Sequence, residues 1–164
     1  MPITYVEGNL LESDEDVILH GCNARGAFGA GFAGGLKKVH PAAQRAYSEA
    51  HSRGGLILGS VIWAQSGDVL VGNCITQPTF GRDGRLHLSY PALRSCMAAV
   101  ARAAENGVPG SRFPEGFGRV AMPAIGTGLA GGDWRRVGEI VADELGGLEI
   151  AVYTLPGQAP LPTP

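Results

Sequence analysis

The segment Val120-Ala-Met-Pro-Ala-Ile-Gly-Thr-Gly-Leu-Ala-Gly-Gly-Asp133 places a glycine-rich loop after a short apolar stretch and before an amphipathic one. An earlier segment repeats this arrangement, since Val17-Ile-Leu-His20 leads into Gly26-Ala-Phe-Gly-Ala-Gly-Phe-Ala-Gly-Gly35. Both loops contain the string Gly-x-Gly-x-x-Gly, at Gly29–Gly34 and at Gly126–Gly131. Glycine permits a sharp turn and lets an anion approach backbone N–H groups, and a following helix adds its positive end.

Two such loops in one small domain predict a ligand with more than one phosphate, or with a phosphate and a ribose. If both loops follow strands of one open α/β sheet, they meet at the carboxyl edge of that sheet, where ligands of this fold class bind. The alternative is that the glycines only permit tight turns and close helix packing. That alternative explains one loop as well as ligand binding does, but it explains a pair of loops less well.

Hydrophobic periodicity predicts about six strands alternating with about four helices. Strands are expected at Ile3–Val6, Val17–His20, Ser60–Gln65, Val69–Ile75, Val120–Pro123 and Leu148–Thr154. Helices are expected from Pro41 towards His51, over Pro91–Glu105 and after Asp133. This alternation predicts a three-layer α/β/α domain with a mixed, mostly parallel sheet. The four prolines of residues 156–164 predict an extended or disordered tail without core residues.

The composition is that of one globular domain, which we place at residues 1–155 of the 164. The formal net charge of −2 creates no field that attracts nucleic acid or an anionic membrane. No apolar run reaches the roughly 20 residues of a membrane span. We therefore expect neither a membrane partner nor direct nucleic-acid binding. The three cysteines contain no CxxC pair, which together with the lack of a signal peptide predicts reduced thiols and a cytoplasmic location.

The glycine strings also occur in Rossmann dinucleotide enzymes, but the surrounding residues argue against that class. A Rossmann fingerprint follows the first strand and is paired with an acidic residue at the end of the next one. Here the first loop follows the second strand, and the strands after the two loops end at Trp63-Ala-Gln65 and Tyr153-Thr-Leu155 without an acid. A P-loop is excluded, because neither loop is followed by Gly-Lys-Ser/Thr.

Several short motifs, in chain order, resemble those of macrodomains. They are Gly8-Asn-Leu10, His20-Gly-Cys-Asn23, Gly29-Ala-Gly31, Asn73-Cys-Ile-Thr-Gln77, Pro123-Ala-Ile-Gly-Thr-Gly-Leu-Ala-Gly-Gly-Asp-Trp134 and Val152-Tyr-Thr-Leu155. The resemblance extends from about Ile3 to Leu155. It is greatest to the branch that holds the ADP-ribose-1''-phosphate phosphatases and the terminal ADP-ribose protein glycohydrolases. It implies that the partner is ADP-ribose or an ADP-ribosylated protein and that no cofactor is needed.

The resemblance also assigns roles by position. Asn9, followed by Leu10, stands where many macrodomains carry an aspartate that accepts from the adenine amino group, and an amide oxygen still accepts. Gln77 and Ala130 stand where the terminal glycohydrolase carries a lysine and an aspartate, so a covalent lysine route is not expected. The distal ribose would be lined by Asn23, Gly29, Ala30 and Gly31, the pyrophosphate by Ile125, Gly126, Thr127, Gly128, Leu129 and Ala130, and the adenine by Tyr153.

Three residues beside the loops are candidate catalytic groups. His20 ends an apolar strand and is the acid–base candidate, because imidazole titrates near neutrality; a packed histidine is the alternative. Asn23 suits a ribose hydroxyl or a turn, and Asp133 suits water activation or a helix N-cap. Cys22 is expected on the same sheet face as His20. The segment Phe80–Arg85 is expected to form an ordinary turn at Asp83-Gly84, or else to cover the terminal ribose or contact a protein substrate.

The sequence thus predicts a hydrolase that acts at C1'' of ADP-ribose. It would release phosphate from ADP-ribose-1''-phosphate, or a glutamate or aspartate side chain from an ADP-ribosylated protein. A non-catalytic ADP-ribose reader is the alternative that Gln77 and Ala130 favour, and a Rossmann-like oxidoreductase is the third hypothesis. The histidines lack the spacing of metal ligands, so no metal is predicted.

Overall fold

The computed structural model describes residues 3–157 and residue 161. The elements follow one another as β1 (Ile3–Glu7), a 3₁₀ turn (Leu10–Glu12), β2 (Val17–Asn23), α1 (Phe32–Val39), α2 (Pro41–Ser52), β3 (Val61–Ser66), β4 (Val69–Gln77), α3 (Tyr90–Asn106), β5 (Arg119–Pro123), α4 (Trp134–Glu144) and β6 (Glu149–Thr154). All the strands expected from the sequence are present. Within the described part of the chain, no helix has the length and apolar character that crossing a membrane requires.

The strands form one sheet in the order β1-β6-β5-β2-β4-β3. Neighbouring strands are parallel, except that β3 and β4 form an antiparallel hairpin around Gly67-Asp68. Gly67 has a φ of 56°, a conformation that this tight turn needs and that glycine adopts without strain. The predicted mixed, mostly parallel sheet is confirmed. Because β2 and β5 are parallel neighbours, the loops that follow them leave the sheet side by side at its carboxyl edge.

Helices cover both faces of the sheet, as the three-layer prediction requires. Along β2, Val17 and Leu19 belong to the core under α3 and α4, whereas Ile18 belongs to the opposite face. The first face is closed by Met97 of α3 and Val141 of α4, both fully buried. On the second face α1 and α2 pack over β2, β3 and β4. Each fully buried apolar side chain stabilises the fold by about 1.5–3 kcal/mol, so the sheet is a rigid support for the loops at its edge.

The first glycine loop is shorter than the sequence predicted, because Phe32–Gly35 belongs to α1. Gly31 is the N-cap and has a φ of 59°. A Cβ on Gly34 would stand 2.8 Å from the carbonyl oxygen of Gly29, so the helix and the loop pack closely at this point. Glycine is a poor helix former, and tertiary packing outweighs that preference here, since Leu36 in the same helix is fully buried. The loop therefore ends at the positive end of α1.

The proline-rich tail is described only at residues 156, 157 and 161. The predicted extended or disordered conformation of residues 158–160 and 162–164 concerns residues outside the described ones. Leu161 is half-buried, packs against the core beneath α3 and α4, and lines the large cavity at the edge of the sheet. Leu161 thus contacts the core without belonging to its buried residues, and the prediction that the tail holds no core residue stays a prediction.

A buried carboxylate joins the segment before β2 to β5 and β6. Glu15, whose side chain is 5% exposed, accepts two hydrogen bonds of 2.7 Å from the guanidinium of Arg119. The hydroxyl of Tyr153 donates to the same carboxylate at 2.7 Å, which holds the tyrosine ring in place at the end of β6. The hydrogen bond from Arg119 is the main reason that the pKa of Glu15 lies below its usual value, despite the opposing effect of burial.

We predict that Glu15→Gln lowers the free energy of unfolding at pH 7 by about 1–3 kcal/mol, because it removes the charge that Arg119 pairs with. The folded-state pKa of Glu15 is depressed, so its contribution is present above the unfolded value of 4.5 and is lost as the pH falls through the folded value. Urea unfolding should therefore show a gap between wild type and variant that shrinks as the pH drops below 4.5.

Glu149→Gln is the matched control for this prediction. Glu149 is 59% exposed and lies 3.5 Å from the same guanidinium, so its removal should cost less than about 1 kcal/mol. A gap between wild type and Glu15→Gln that stays constant into strong acid would contradict the role of the Glu15 charge.

Candidate functional site

A cavity of about 1420 Å³ lies at the carboxyl edge of the sheet, between the two glycine loops. The turn after β1, the ends of β4 and β6, and the segment between β4 and α3 add to its wall. The predicted site residues that line it are Asn9, Leu10, His20, Asn23, Gly29, Ala30, Gly31, Gln77, Ile125, Gly126, Thr127, Gly128, Leu129, Ala130 and Tyr153. Asp133 is the predicted site residue that does not. One cavity of ligand-binding size therefore brings both loops together.

In each loop, a run of backbone N–H groups has no acceptor among the described residues. These amides belong to Phe28–Gly31 in the first loop and to Gly126 and Gly128–Ala130 in the second. Backbone donors in native proteins are almost always paired with protein groups or with water. Because these residues line one cavity, the partner that their amides fit best is an anion bound there.

The loop glycines divide into two groups according to what a side chain would meet. A Cβ on Gly126, Gly131 or Gly132 would stand within 2.8 Å of another atom, so these glycines permit close packing. Gly31 is required by its positive φ. A Cβ on Gly128, in contrast, would meet nothing within 4 Å. The packing alternative is thus correct for part of the second loop, and it leaves Gly128, at the cavity, without a packing reason.

The second loop is fastened to the segment that precedes α3. The carbonyl of Ala130 accepts from the amides of His87 at 2.8 Å and Leu88 at 3.2 Å. The hydroxyl of Thr127 donates to the carbonyl of Ala124 at 2.8 Å. These bonds use carbonyl oxygens of the loop within the protein, so N–H groups are what the loop offers to a ligand.

Asn23 uses its side chain to shape the first loop. Its Oδ1 accepts from the amides of Arg25 at 2.9 Å and Ala27 at 3.3 Å, and its Nδ2 donates to the Ala27 carbonyl at 2.7 Å. The fully buried Tyr47 donates its hydroxyl to the Asn23 carbonyl at 2.7 Å and accepts from the Gly26 amide at 3.1 Å. The structure thus places Asn23 at the cavity, 8% exposed, with its amide committed to the turn.

His20 lies at the base of the cavity and is 1% exposed. Its Nε2 lies 2.5 Å from Oδ1 of Asn73, and because an amide oxygen only accepts, Nε2 carries the proton. Burial lowers the pKa of His20 to about 4, and the bond to Asn73 opposes that shift. The ring also packs edge-on against Phe28, with centroids 5.5 Å apart. These contacts are those of a neutral, packed histidine, the alternative that the sequence left open.

Cys22 and Asp133 have structural surroundings. The Sγ of Cys22 lies 3.6 Å from Nε2 of His20, which confirms that the two side chains share a sheet face. Burial raises the pKa of the Cys22 thiol far above its usual value, so the sulfur stays protonated. Asp133 is the N-cap of α4, and its carboxylate accepts from the Arg135 amide at 3.0 Å. The N-cap alternative is confirmed, and the position of Asp133 outside the cavity lends its predicted catalytic role no support.

At the β1–β6 end, the cavity offers a polar turn and an aromatic ring. The Oδ1 of Asn9 accepts from the Leu11 amide at 3.0 Å and so caps the 3₁₀ turn. An amide oxygen has a second lone pair, so Asn9 can still accept from a ligand. Tyr153 is held by Glu15, which leaves the tyrosine ring as a wall of the cavity.

The cavity holds little side-chain charge. Gln77 lies at its wall and donates from Nε2 to the Thr79 carbonyl at 2.7 Å. Ala130 supplies no functional group. No carboxylate lines the described part of the cavity, and Arg82 supplies a cation. The electrostatics therefore favour an anionic ligand, and no residue of the wall replaces the lysine and aspartate that the resemblance would place here.

The segment between β4 and α3 contributes residues that the sequence-based site did not include. Phe80, 53% exposed, and Arg82 line the cavity. The expected turn is present, since the Arg85 amide donates to Asp83 at 3.0 Å and Gly84 has a φ of 74°. The turn interpretation is confirmed, and covering of the terminal ribose stays a prediction. In the sequence, a phenylalanine beside arginines in a glycine-containing segment could have indicated that this segment belongs to the site.

Fold and cavity together define an α/β domain that offers backbone amides to an anion at the carboxyl edge of its sheet. The family model described as Macro domain matches residues 19–141. The chain belongs to the Macro domain family.

Known relatives cover nearly the whole chain. An ADP-ribose 1''-phosphate phosphatase of Saccharomyces cerevisiae (strain YJM789) is 28% identical over 177 residues, which is 93% of this chain and 98% of that protein. A macrodomain protein from Streptomyces coelicolor superposes with a TM-score of 0.72 at 30% identity, covering 93% and 98%. Thermosipho africanus DarTG, solved in complex with ADP-ribose, shares the fold with a TM-score of 0.75 at 19% identity, covering 98% of this chain and 43% of that one. The predicted family and fold are confirmed.

We predict that Tyr47→Phe lowers the free energy of unfolding by about 1–3 kcal/mol, because it leaves the buried Asn23 carbonyl and the Gly26 amide short of a partner. Ser52→Ala is the control: the exposed Ser52 hydroxyl donates to the Ser48 carbonyl at 3.0 Å, water replaces that bond, and the loss should stay below about 1 kcal/mol. Urea midpoints measure both. Equal losses in the two variants would show that the Tyr47 hydroxyl does not hold the first loop.

Proposed function

We propose that this macrodomain binds ADP-ribose between its two glycine loops and hydrolyses a bond at C1'' of the terminal ribose. The proposal is carried by the amides of Phe28–Gly31 and of Gly126 and Gly128–Ala130, which line one cavity and have no acceptor within residues 3–157. A diphosphate offers several anionic oxygens, and it can accept from both runs at once. By their names, the yeast relative acts on ADP-ribose 1''-phosphate and the Thermosipho africanus protein binds ADP-ribose.

Backbone amides can bind the diphosphate without a strongly basic protein. The chain carries a formal net charge of −2, so no overall field draws an anion in. A hydrogen bond to a charged group contributes roughly 1.5–3 kcal/mol, so a few amides suffice for tight binding. The N-terminus of α1 adds its positive end beside the first loop.

The ligand has one orientation that suits both ends of the cavity. The adenine would lie at the β1–β6 end, against the Tyr153 ring and within reach of Asn9, as the resemblance implies. The terminal ribose would then lie at the first loop, near Asn23. This orientation directs C1'' towards the segment between β4 and α3, where Phe80 and Arg82 stand.

Hydrolysis at C1'' requires one water molecule placed against C1'' or against the phosphorus of a phosphate on it. Fixing a reactant in productive geometry lowers the barrier by up to about 7–11 kcal/mol, and the diphosphate contacts supply that positioning. In the cavity between the two glycine loops, Gln77 and Ala130 offer no base, and His20 is buried and neutral. Within that cavity, the substrate's own phosphate is the group best placed to accept a proton.

A non-catalytic ADP-ribose reader is the second candidate function. Gln77 and Ala130 favour it, because they leave binding intact and remove two groups used for chemistry in related enzymes. Reader and hydrolase share every contact to the diphosphate, so binding does not separate them. Turnover does.

The state of the three cysteines supports a cytoplasmic location. Cys22, Cys74 and Cys96 are buried and unpaired, which supports a reducing compartment such as the cytoplasm. We infer that the partner there is ADP-ribose or an ADP-ribosylated protein.

We predict that Gly128→Ala weakens ADP-ribose binding by roughly tenfold or more, because its Cβ would come between the ligand and the loop amides. A Cβ at this position meets no protein atom within 4 Å, so the fold should be unaffected. Gly118→Ala is the matched control, since its Cβ is equally unobstructed and lies outside the cavity. Calorimetric titration with ADP-ribose measures both. Wild-type affinity in Gly128→Ala would argue against a diphosphate at this loop.

We predict turnover of ADP-ribose-1''-phosphate or of glutamate-linked ADP-ribosylated protein, followed as released phosphate or released ADP-ribose. Binding without turnover of either substrate would establish the reader. The same assay tests the catalytic role predicted for His20. With a pKa of about 4 the ring is a weak base, so His20→Gln should lower kcat by less than about tenfold. A loss of a hundredfold or more, with ADP-ribose affinity unchanged, would restore His20 as the proton acceptor.

A further inference from the structure

A second cavity, of about 600 Å³, adjoins the first at the end where we place the terminal ribose. Ala27 and Phe80 line both cavities, so the two meet at the first glycine loop. The wall of the second cavity is rich in polar side chains: Arg25 comes from the first loop, and the others come from the segment between β4 and α3. The binding contacts proposed above use none of these polar groups.

In this wall, a buried histidine joins a hydroxyl to a carboxylate. His87 is 8% exposed, its Nε2 lies 2.8 Å from Oδ1 of Asp83, and its Nδ1 lies 2.7 Å from Oγ1 of Thr79. A carboxylate only accepts, so Nε2 carries the proton, and in the neutral ring Nδ1 accepts from the Thr79 hydroxyl. The turn at Gly84 is already closed by the Arg85 amide, so this chain of bonds is more than the turn requires.

The segment that contains His87 also contacts the second glycine loop. The backbone amide of His87 donates to the carbonyl of Ala130 at 2.8 Å, and a Cβ on Gly131 would stand 2.7 Å from the carbonyl of Arg85. The position of the hydroxyl–histidine–carboxylate chain is therefore set relative to the second glycine loop. A ligand held by that loop would meet the chain in a fixed geometry.

The charges of the second cavity suit an anion. Arg25 and Arg85 stand at its wall with one carboxylate, Asp83. Among the described residues, Arg25 forms no ion pair, and Arg85 has a loose one, with its Nε 3.9 Å from Asp83. Two guanidinium groups and one carboxylate thus stand at this wall, and a phosphate group is an anion whose geometry guanidinium groups match. A neutral ester of a protein side chain would leave these cations without a partner.

We propose that the second cavity is the reaction end of the site, where Arg25 and Arg85 bind the phosphate of ADP-ribose-1''-phosphate and Thr79, His87 and Asp83 accept the proton of the attacking water. This inference rests on the proposed function, and it supplies the base that the first cavity lacks. Thr79 contacts the water, while His87 and Asp83 act through it.

The step balances as follows. The water oxygen forms a bond to phosphorus and gives one proton to Oγ1 of Thr79, whose own proton moves to Nδ1 of His87. The bond between phosphorus and the oxygen on C1'' breaks, and its electron pair stays on that oxygen, which takes a proton from solvent. The imidazolium, paired with Asp83, then releases its proton to solvent. The products are ADP-ribose and inorganic phosphate.

Thr79→Val and Thr79→Ser test the relay in the full chain at an exposed residue. Valine keeps the size of threonine without its hydroxyl, and serine keeps the hydroxyl without the methyl group. Thr79→Val should lower kcat for ADP-ribose-1''-phosphate by roughly a hundredfold, the lower end of a general-base contribution. Thr79→Ser keeps the hydroxyl and should stay within about fivefold of wild type. Asp83→Asn should lower kcat in the same direction as Thr79→Val. Calorimetric affinity for ADP-ribose should be unchanged in all three variants.

Arg25→Gln tests the phosphate subsite. It should raise KM for ADP-ribose-1''-phosphate roughly tenfold with ADP-ribose affinity unchanged, as expected when one charged hydrogen bond is lost. Arg25→Lys should recover part of the loss. Arg102→Gln, an exposed arginine on α3 outside both cavities, is the matched control and should behave as wild type. In ¹⁸O-labelled water, the label should appear in the released phosphate.

Three results would overturn the inference without contradicting the proposed hydrolase. They are a wild-type kcat in Thr79→Val, a wild-type KM in Arg25→Gln, and ¹⁸O label in the ribose. Turnover of glutamate-linked protein without turnover of ADP-ribose-1''-phosphate would also overturn it. A wild-type protein that does not bind ADP-ribose at all would instead remove the proposed function on which it rests.

Discussion

The parallel pairing of β2 with β5 is the constraint on which the cavity depends. Neighbouring strands lie about 4.8 Å apart, so the two glycine loops begin side by side although about a hundred residues separate them in the chain. Ile18 and Ala121, which are in register, are buried to 2% and 0% exposure at this contact. A loop without a core of its own takes its position from the strand that it follows. Two such loops can therefore share one diphosphate without large side chains to hold them.

The features that were predictable from sequence are those with a local cause. A buried parallel strand is a short apolar run, and glycine clusters at the ends of two such runs indicate a pair of ligand loops. The start of α1 was not predictable, because a helix with Gly34 and Gly35 in its first turn has a poor intrinsic propensity. Its stability depends on Leu36 beneath it and on the close approach of Gly34 to Gly29, and both are tertiary contacts.

The same division applies to the site. The residues of the glycine loops were found from their strings, and the N-cap of Asp133 from its place before an amphipathic run. The state of His20 depends on Asn73, which lies 53 residues further along the chain, and no periodicity reveals that contact. The bond between the His87 amide and the Ala130 carbonyl is also remote in sequence. Long-range hydrogen bonds decide which polar residues are reactive and which are packed, so sequence could propose His20 without deciding its role.

Binding through backbone amides separates affinity from chemistry. Every residue except proline has a backbone N–H group, so a loop that binds through amides keeps its affinity for an anion when the side chains around it change. Gln77 and Ala130 can therefore stand in place of a lysine and an aspartate without loss of the diphosphate contacts. Any chemistry then depends on a few side chains at one end of the ligand. The charge of Arg25 lies at that end, and binding of the diphosphate does not require it. In such a domain catalysis can be lost or moved to other residues while binding persists, because the two depend on different groups.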